Sequence, residues 1–272
     1  MDYGAFTLRN DGYISSAAQE RIRKTVVLIA GCGIGSGFAE TAIRLGYRRL
    51  ILVDHDVIET HNLNRQNYVV ADVGRHKVEA LRERLIAIYP DADVVAICDK
   101  VTTENASAIV AKSDLVFDTI DFLDMPGLVA LHDASHEQRK PLVTAVNAGY
   151  GAAAFYFSQT KNYTIRDLFG LPKQGSVEGI SYADKFAAFI ERISDQVDPL
   201  VVKQFFRIVK LMGEGKPCPA PQVSPGAACV TALAGTVAVR IAEGLPVREA
   251  PDMLMINISG IVAPRGIVAP AL

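Results

Sequence analysis

The sequence predicts an α/β fold, a doubly wound, Rossmann-like parallel sheet with a C-terminal extension of helix and strand. Three observations predict it. Short, continuously apolar runs such as Val26–Ala30 recur along the chain, as strands covered on both faces require. Helical segments alternate with those runs over roughly the first 150 residues, the pattern of parallel strands joined by crossover helices. A glycine turn, Gly31-Cys32-Gly33-Ile34-Gly35-Ser36, follows the first run, and the second run ends on a carboxylate, Asp54.

Residues 17–24 read as a short polar helix leading into the first strand at 26–30. Beyond the glycine turn a helix runs from about Gly37 to Leu45. Gly46 is its C-terminal stop, because glycine closes a helix without a Cβ penalty. The second strand spans 50–54, and a helix from about Lys77 to Ile88 ends at Tyr89-Pro90, where proline blocks its continuation. Strand 94–98, helix 103–112, strand 114–118, helix 126–138 and strand 142–146 follow. Pro141 to Gln159 carries no charge but is interrupted by Asn147, Gly149 and Gly151, so it reads as strand, turn, strand rather than a membrane span. Residues 180–213 are expected to be helical with aromatic anchors. A loop with prolines at 217, 219, 221 and 225 comes next, then a helix of small residues over 226–244 and a late strand at 252–258.

Half of the 272 residues are hydrophobic, enough for a sizeable core. The formal net charge is −2 and the pI about 6.2, which gives no electrostatic case for nucleic acid or an anionic membrane as partner. The four cysteines, at 32, 98, 218 and 229, form no C-x-x-C pair, arguing against a disulfide framework and a zinc ribbon. The opening Met1–Arg9 lacks the basic and apolar regions of a targeting peptide. The expectation is a cytoplasmic protein.

Candidate functional residues gather around the first two strand ends. A glycine turn lets backbone N–H groups approach a phosphate at a helix N-terminus, which makes Gly31, Gly33 and Gly35 candidates. Ser36, however, stands where a dinucleotide-binding turn has its third glycine. Asp54 comes 23 residues after Gly31, the usual place for a carboxylate that holds ribose hydroxyls. Asn62, Arg65 and Gln66, and then Lys77 in Val73-Gly74-Arg75-His76-Lys77, supply groups that can hold phosphates. The set suits ATP chemistry better than hydride transfer. Arg65 and Lys77 fall on a polar loop and at a helix start, where substitutions usually change stability by no more than about 0.5 kcal/mol.

With these residues in this order, the chain resembles the ThiF/MoeB family of ubiquitin-activating-enzyme-like adenylyltransferases. The resemblance rests on Arg9-Asn10 with Gln19, the glycine turn, Asp54-His55-Asp56, Asn62–Gln66, Val73–Lys77 and the aspartate-bearing segment that ends at Asp121. It covers residues 5–157 closely and the small-residue helix at 224–244 loosely. It implies ATP and Mg2+ as cofactors, with a substrate carboxylate attacking the α-phosphorus of ATP to give an acyl-adenylate and pyrophosphate. It further implies that Gly33 approaches the phosphates, that Asp54 holds the ribose, and that Asn62, Arg65 and Lys77 hold the triphosphate. Asp121 would bind magnesium, and Arg9 would reach the ATP of the partner subunit in a homodimer. On this reading residues 1–272 form one adenylation domain, 1–160 the nucleotide-binding part and 161–272 the substrate-facing and dimerisation part. The chemistry needs positive charge on the developing pyrophosphate and a bridging cation, and a magnesium that keeps several waters needs only one carboxylate.

The chain departs from the family in having a glycine turn one residue short of G-x-G-G-x-G, and Phe122 after Asp121 where asparagine is usual. Zinc cysteine pairs are absent, so no metal besides magnesium is expected, and the acyl-accepting cysteine has no clear counterpart. Cys218, in the proline-rich loop, is the cysteine expected to be exposed; Cys32, Cys98 and Cys229 read as buried packing residues. His132 and His136 read as a solvated helix face. The carboxylate could belong to a protein or peptide C-terminus or to a small metabolite, and the divergence favours a specialised biosynthetic pathway. Two other readings stay open. A non-catalytic nucleotide-binding or scaffold homologue is motivated by Phe122 and the short turn. An NAD-dependent oxidoreductase would leave Arg65 and Lys77 with no third phosphate to serve.

Overall fold

The structure, a computed structural model, describes residues 1–158, 160–214 and 220–262. A short α1 (Tyr3–Thr7), a 3-10 turn (Leu8–Asn10) and α2 (Ser16–Lys24) precede β1 (Val26–Ala30). Then come α3 (Gly35–Leu45), β2 (Arg49–Val53), α4 (Lys77–Ile88), β3 (Asp93–Ile97), α5 (Ala106–Val110), β4 (Leu115–Asp118), α6 (Met125–Glu137) and β5 (Leu142–Ala148). β6 (Gly151–Phe157), α7 (Ile165–Phe169), α8 (Tyr182–Ile193), α9 (Pro199–Gly213), α10 (Ser224–Glu243), β7 (Leu254–Asn257) and α11 (Ser259–Val262) complete the described chain.

The strands form one sheet in the order β3-β2-β1-β4-β5-β6-β7. β1 to β5 are parallel, as predicted; β6 and β7 are added antiparallel. The reversal follows from the tight turn at Gly149, which sits at φ 63° and joins β5 to β6 with too little chain for a parallel crossover. β1 shows why its sequence is apolar throughout. Val27 and Ile29 point into a core shared with α2, α3 and α10, while Leu28 and Ala30 point into the opposite core beneath α5 and α6. α10 alone among the described helices is long and apolar enough to cross a membrane, yet half of that stretch is buried inside the protein, where it packs on α3, β5 and β6.

Several boundaries differ from expectation for local reasons. The helix expected over 180–213 is two helices. Pro199 is at the first turn of α9, proline disfavours helical backbone in the residue before it, and Asp198 instead caps the Leu200 N–H at 2.8 Å. α7 is an element beyond those expected, a five-residue helix opened by a reciprocal Thr164–Asp167 capping box. The solvated histidine face is corrected for His132, which is buried with its Nε2 3.0 Å from Asp118 Oδ2. Asp118 is fully buried at the end of β4 and so needs donors; it also accepts from Thr144 Oγ1 at 2.6 Å and the Ile120 N–H at 2.9 Å. His136 is exposed, as expected, beside Asn162.

Gly46 ends α3 at φ 104°, and the carbonyl of Leu45 at that end accepts from Asn10 Nδ2 at 3.1 Å and Gln19 Nε2 at 2.9 Å. These two amides therefore hold the N-terminal segment onto the sheet's flank.

Gly31 sits at φ 88°, and a Cβ there would stand 2.4 Å from the Thr119 carbonyl oxygen. Gly12 has a similar φ of 85° but open space around it. Gly31→Ala should cost at least about 1–3 kcal/mol from backbone strain plus the overlap, and Gly12→Ala the strain alone. Thermal melts of the two variants compare these costs; equal melting temperatures would mean that the β1–β4 junction yields freely.

Candidate active site

The order of strands reverses between β1 and β4, and an α/β sheet opens a crevice at the carboxyl ends of its strands at such a point. A cleft of about 730 Å3 lies there, within the usual range for small-molecule sites. Of the residues singled out in the sequence, Gly31, Gly33, Asp54, Asn62, Arg65, Gln66, Lys77 and Asp121 all line it. Gly35 and Arg9 do not. A Cβ on Gly35 would stand 2.7 Å from Thr119 Oγ1, so this glycine lets α3 pack against the loop after β4. Arg9 is exposed on the 3-10 turn near the N-terminus.

Asp54 organises the turn. One carboxylate oxygen accepts from the Cys32 N–H at 2.7 Å and the other from the Asp56 N–H at 2.8 Å. Burial pushes its carboxyl above the ordinary range, against the opposing charge of Lys77 and these N–H donors. Lys77 is buried, with Nζ 2.6 Å from Asp56 Oδ2. The helix-start expectation of a substitution-tolerant site is thus corrected for Lys77, whose stem and charge are both engaged by the protein.

The 3-10 turn Thr60–Asn64 presents the next group of residues. Asn62 is buried and its side-chain oxygen accepts from the Glu59 N–H at 2.9 Å, closing the turn. Arg65 donates from Nη1 to the His61 carbonyl at 3.1 Å and from Nε to Gln222 Oε1. Burial lowers its pKa while the charge of Asp121 opposes the shift. Gln66 lies against Gly33, where a Cβ would be 3.0 Å from Gln66 Nε2, and its Oε1 is buried with no hydrogen-bond partner among the described residues.

The donor set fits a nucleotide and a hard cation. Gln66 Oε1 is an unused acceptor in the cleft wall, and Arg65 and Lys77 bring two positive charges to it. Asp121 is exposed in the cleft, and among the described residues only its Oδ1 is engaged, by the Leu123 N–H at 3.0 Å; oxygen is the donor that magnesium takes. Asp54, His55 and Asp56 also cluster within 4.8 Å, but Lys77 already occupies Asp56.

The cysteine expectations meet the structure at Cys32, Cys98 and Cys229. Cys32 and Cys229 are buried, as expected, and burial raises the Cys32 thiol well above its ordinary value. Cys98 is corrected: it lies just past the end of β3, exposed, with Sγ 3.1 Å from His76 Nδ1. Cys218 lies outside the described residues. Sequence reasoning missed Asp56 as the partner of Lys77, although it stands in the Asp-x-Asp motif. It also missed Gln222 and the aromatic side chains Phe186 and Phe205, which line the same cleft from segments with no recognisable motif.

The sequence matches the ThiF family over residues 9–261. It is 30% identical over 212 residues to the sulfur carrier protein adenylyltransferase of Thermus thermophilus, covering 75% of each chain. It is 34% identical over 138 residues to protein HesA of Nostoc sp., covering 50% of this chain and 54% of that one. The match thus spans about half the length of HesA. The fold is similar to that of Escherichia coli tRNA N6-threonylcarbamoyladenosine dehydratase, TcdA, in complex with ATP, at a TM-score of 0.60 and 20% identity over 89% of this chain and 93% of that one.

Burial would raise the Asp56 carboxyl, but the hydrogen bond and charge of Lys77 outweigh it and hold the group below its ordinary value. A depressed carboxylate contributes stability that is present above the unfolded-state pKa, about 4, and lost as pH falls through the lower folded-state value. Asp56→Asn should therefore lower the melting temperature at neutral pH and converge on the wild type in acid. Melting curves from about pH 7 down to pH 3 test this; a constant gap between the two proteins would mean that the pair contributes nothing through ionisation.

Proposed function

Since the chain belongs to the ThiF family, we propose that it is an ATP- and Mg2+-dependent adenylyltransferase that activates a carboxylate as an acyl-adenylate. The observation that carries this reading is the convergence of Asp54, Arg65, Gln66, Lys77 and Asp121 on one cleft beside the glycine turn. A carboxylate oxygen forms a bond to the α-phosphorus, the bond from that phosphorus to the α–β bridging oxygen breaks, and pyrophosphate leaves with the electron pair. Protein chemistry is needed mainly for position and charge. Arg65 and Lys77 hold the negative charge that grows on the leaving pyrophosphate, Asp54 the ribose and Gly33 the phosphates. Asn62 fixes the turn that carries Arg65. Asp121 would hold magnesium, which supplies charge neutralisation of phosphate oxygens.

Both cations have protein partners now, Asp56 for Lys77 and Gln222 for Arg65. Triphosphate binding exchanges or extends those contacts. Pyrophosphate chemistry separates this reading from a scaffold and from an oxidoreductase, because only an adenylating enzyme exchanges labelled pyrophosphate into ATP with its carboxylate substrate. The site acts in a homodimer on this reading, with Arg9 of one protomer completing its partner's site. The substrate is a protein or peptide C-terminus or a small metabolite in a specialised biosynthetic pathway.

Arg65→Ala should slow exchange roughly 100- to 1,000-fold, the cost of one preorganised charge contact, while changing stability by about 1 kcal/mol or less. Near-normal exchange would remove Arg65 from the phosphate site. For the dimer, Arg9→Ala and Asp121→Asn proteins should each be weak alone and regain activity when mixed. One site of the heterodimer then keeps its own Asp121 and receives Arg9 from the other chain. A monomer in solution at micromolar concentration, or a mixture no better than its components, would sink the shared-site arrangement.

A further inference from the structure

The cleft has two chemical halves. Around the glycine turn it is charged, with Asp54, Arg65, Lys77 and Asp121. Immediately past Asp121 it gains an apolar patch, because Phe122 turns against the helices α8 and α9. The Phe122 ring is 5.2 Å from that of Phe186, and Phe186 is 5.0 Å from Phe205. These three rings and Val201 line the cleft and also wall a second, small cavity of about 40 Å3 whose exposed surface is wholly apolar. Polar side chains line this side of the cleft as well, among them Asn147, Asp198, Gln204 and Arg207, and Asn147 Oδ1 is buried with no hydrogen-bond partner among the described residues. Arg207 Nη1 is 3.5 Å from Gln204 Oε1, and Asn257 Nδ2 is 3.2 Å from Asp198 Oδ2.

Given the adenylation reading above, on which this rests, we infer that the acyl group activated here carries a bulky apolar side chain, aromatic or branched aliphatic, within one or two carbons of its carboxylate. The carboxylate must meet the α-phosphorus in the charged half, near Asp121. Phe122 lines the same cleft beside Asp121, so an apolar group close to the carboxylate is within the reach of that ring. A glycine-rich carrier tail would leave the half-buried Phe122 and Phe205 rings, which are backed by the buried Phe186, in contact with water, whereas an apolar side chain covers them. Burying such a side chain favours binding by about tenfold to a hundredfold over a hydrogen or methyl in its place.

The test uses two stable mimics of an acyl-adenylate, 5′-O-sulfamoyladenosine N-acylated with either a 3-phenylpropionyl or an acetyl group, in which the sulfamoyl stands in for the phosphate. Calorimetric titration of the full chain with each, and with ATP and magnesium separately, reads the acyl half and the nucleotide half independently. The phenylpropionyl mimic should bind at least about tenfold more tightly. Phe122→Asn and Phe205→Ala, each checked for a cooperative melt, should shrink that ratio to about threefold or less. Equal or reversed affinities of the two mimics for the wild type would overturn the apolar acyl site while leaving the nucleotide site standing. Full selectivity in both variants would overturn the assignment to this wall. Binding of neither mimic nor ATP would overturn the adenylation reading and the acyl inference with it.

Discussion

The junction between β1 and β4 is the constraint on which the site depends. The Thr119 N–H donates to the Ala30 carbonyl at 2.8 Å, Thr119 Oγ1 donates to the Gly31 carbonyl at 2.6 Å, and the two backbones touch where Gly31 has no side chain. This contact brings the glycine turn, which follows β1, to the segment that carries Asp121, which follows β4. Asp54 then fixes the turn from the β2 side, and Asp118, held by His132 and Thr144, fixes the β4 side. Groups far apart in the chain share one cleft because the strand ends they follow are locked at the point where the sheet changes direction.

Charge in the cleft is arranged to be tolerable before any ligand arrives. A buried ammonium with no partner would be costly, and Lys77 is buried against the half-exposed Asp56. Arg65 spans the 3-10 turn and the segment at Gln222, while Asn64 Nδ2 donates to the Gln222 carbonyl at 3.1 Å. Preorganised charge of this kind would serve the proposed chemistry, because little reorganisation is needed when negative charge develops.

Residues tied to backbone periodicity or to a motif were legible from the sequence. The apolar runs located β1, β2 and β4, the glycine at 46 marked the end of α3, and the spaced polar residues from Asp54 to Lys77 marked one wall of the cleft. Features set by tertiary packing were not. His132 and His136 share a helical spacing, yet only His132 lies over the buried Asp118, and nothing local distinguishes them. Cys98 looked like the last residue of a strand, but β3 ends one residue earlier and leaves the thiol exposed. The aromatic wall is assembled from a loop after β4 and from α8 and α9; Phe122 and the aromatic anchors over 180–213 stand out singly, but nothing local says that they meet. Even Lys77, whose place in a motif was visible, owes its burial to a partner on another segment.

The last described strand has a consequence for how the chain reaches this state. β7 pairs antiparallel with β6, Ala152 opposite Ile256 and Ala154 opposite Leu254, across about a hundred residues of intervening chain. During synthesis, β6 leaves the ribosome well before its neighbour exists, and its apolar Gly151–Phe157 edge stays unpaired while α7 to α10 are made. An unpaired, apolar edge is a template for pairing with another chain. The helices made in that interval, with α10 packing across β5 and β6, cover the apolar faces of the sheet, but the edge of β6 is closed only when β7 pairs with it.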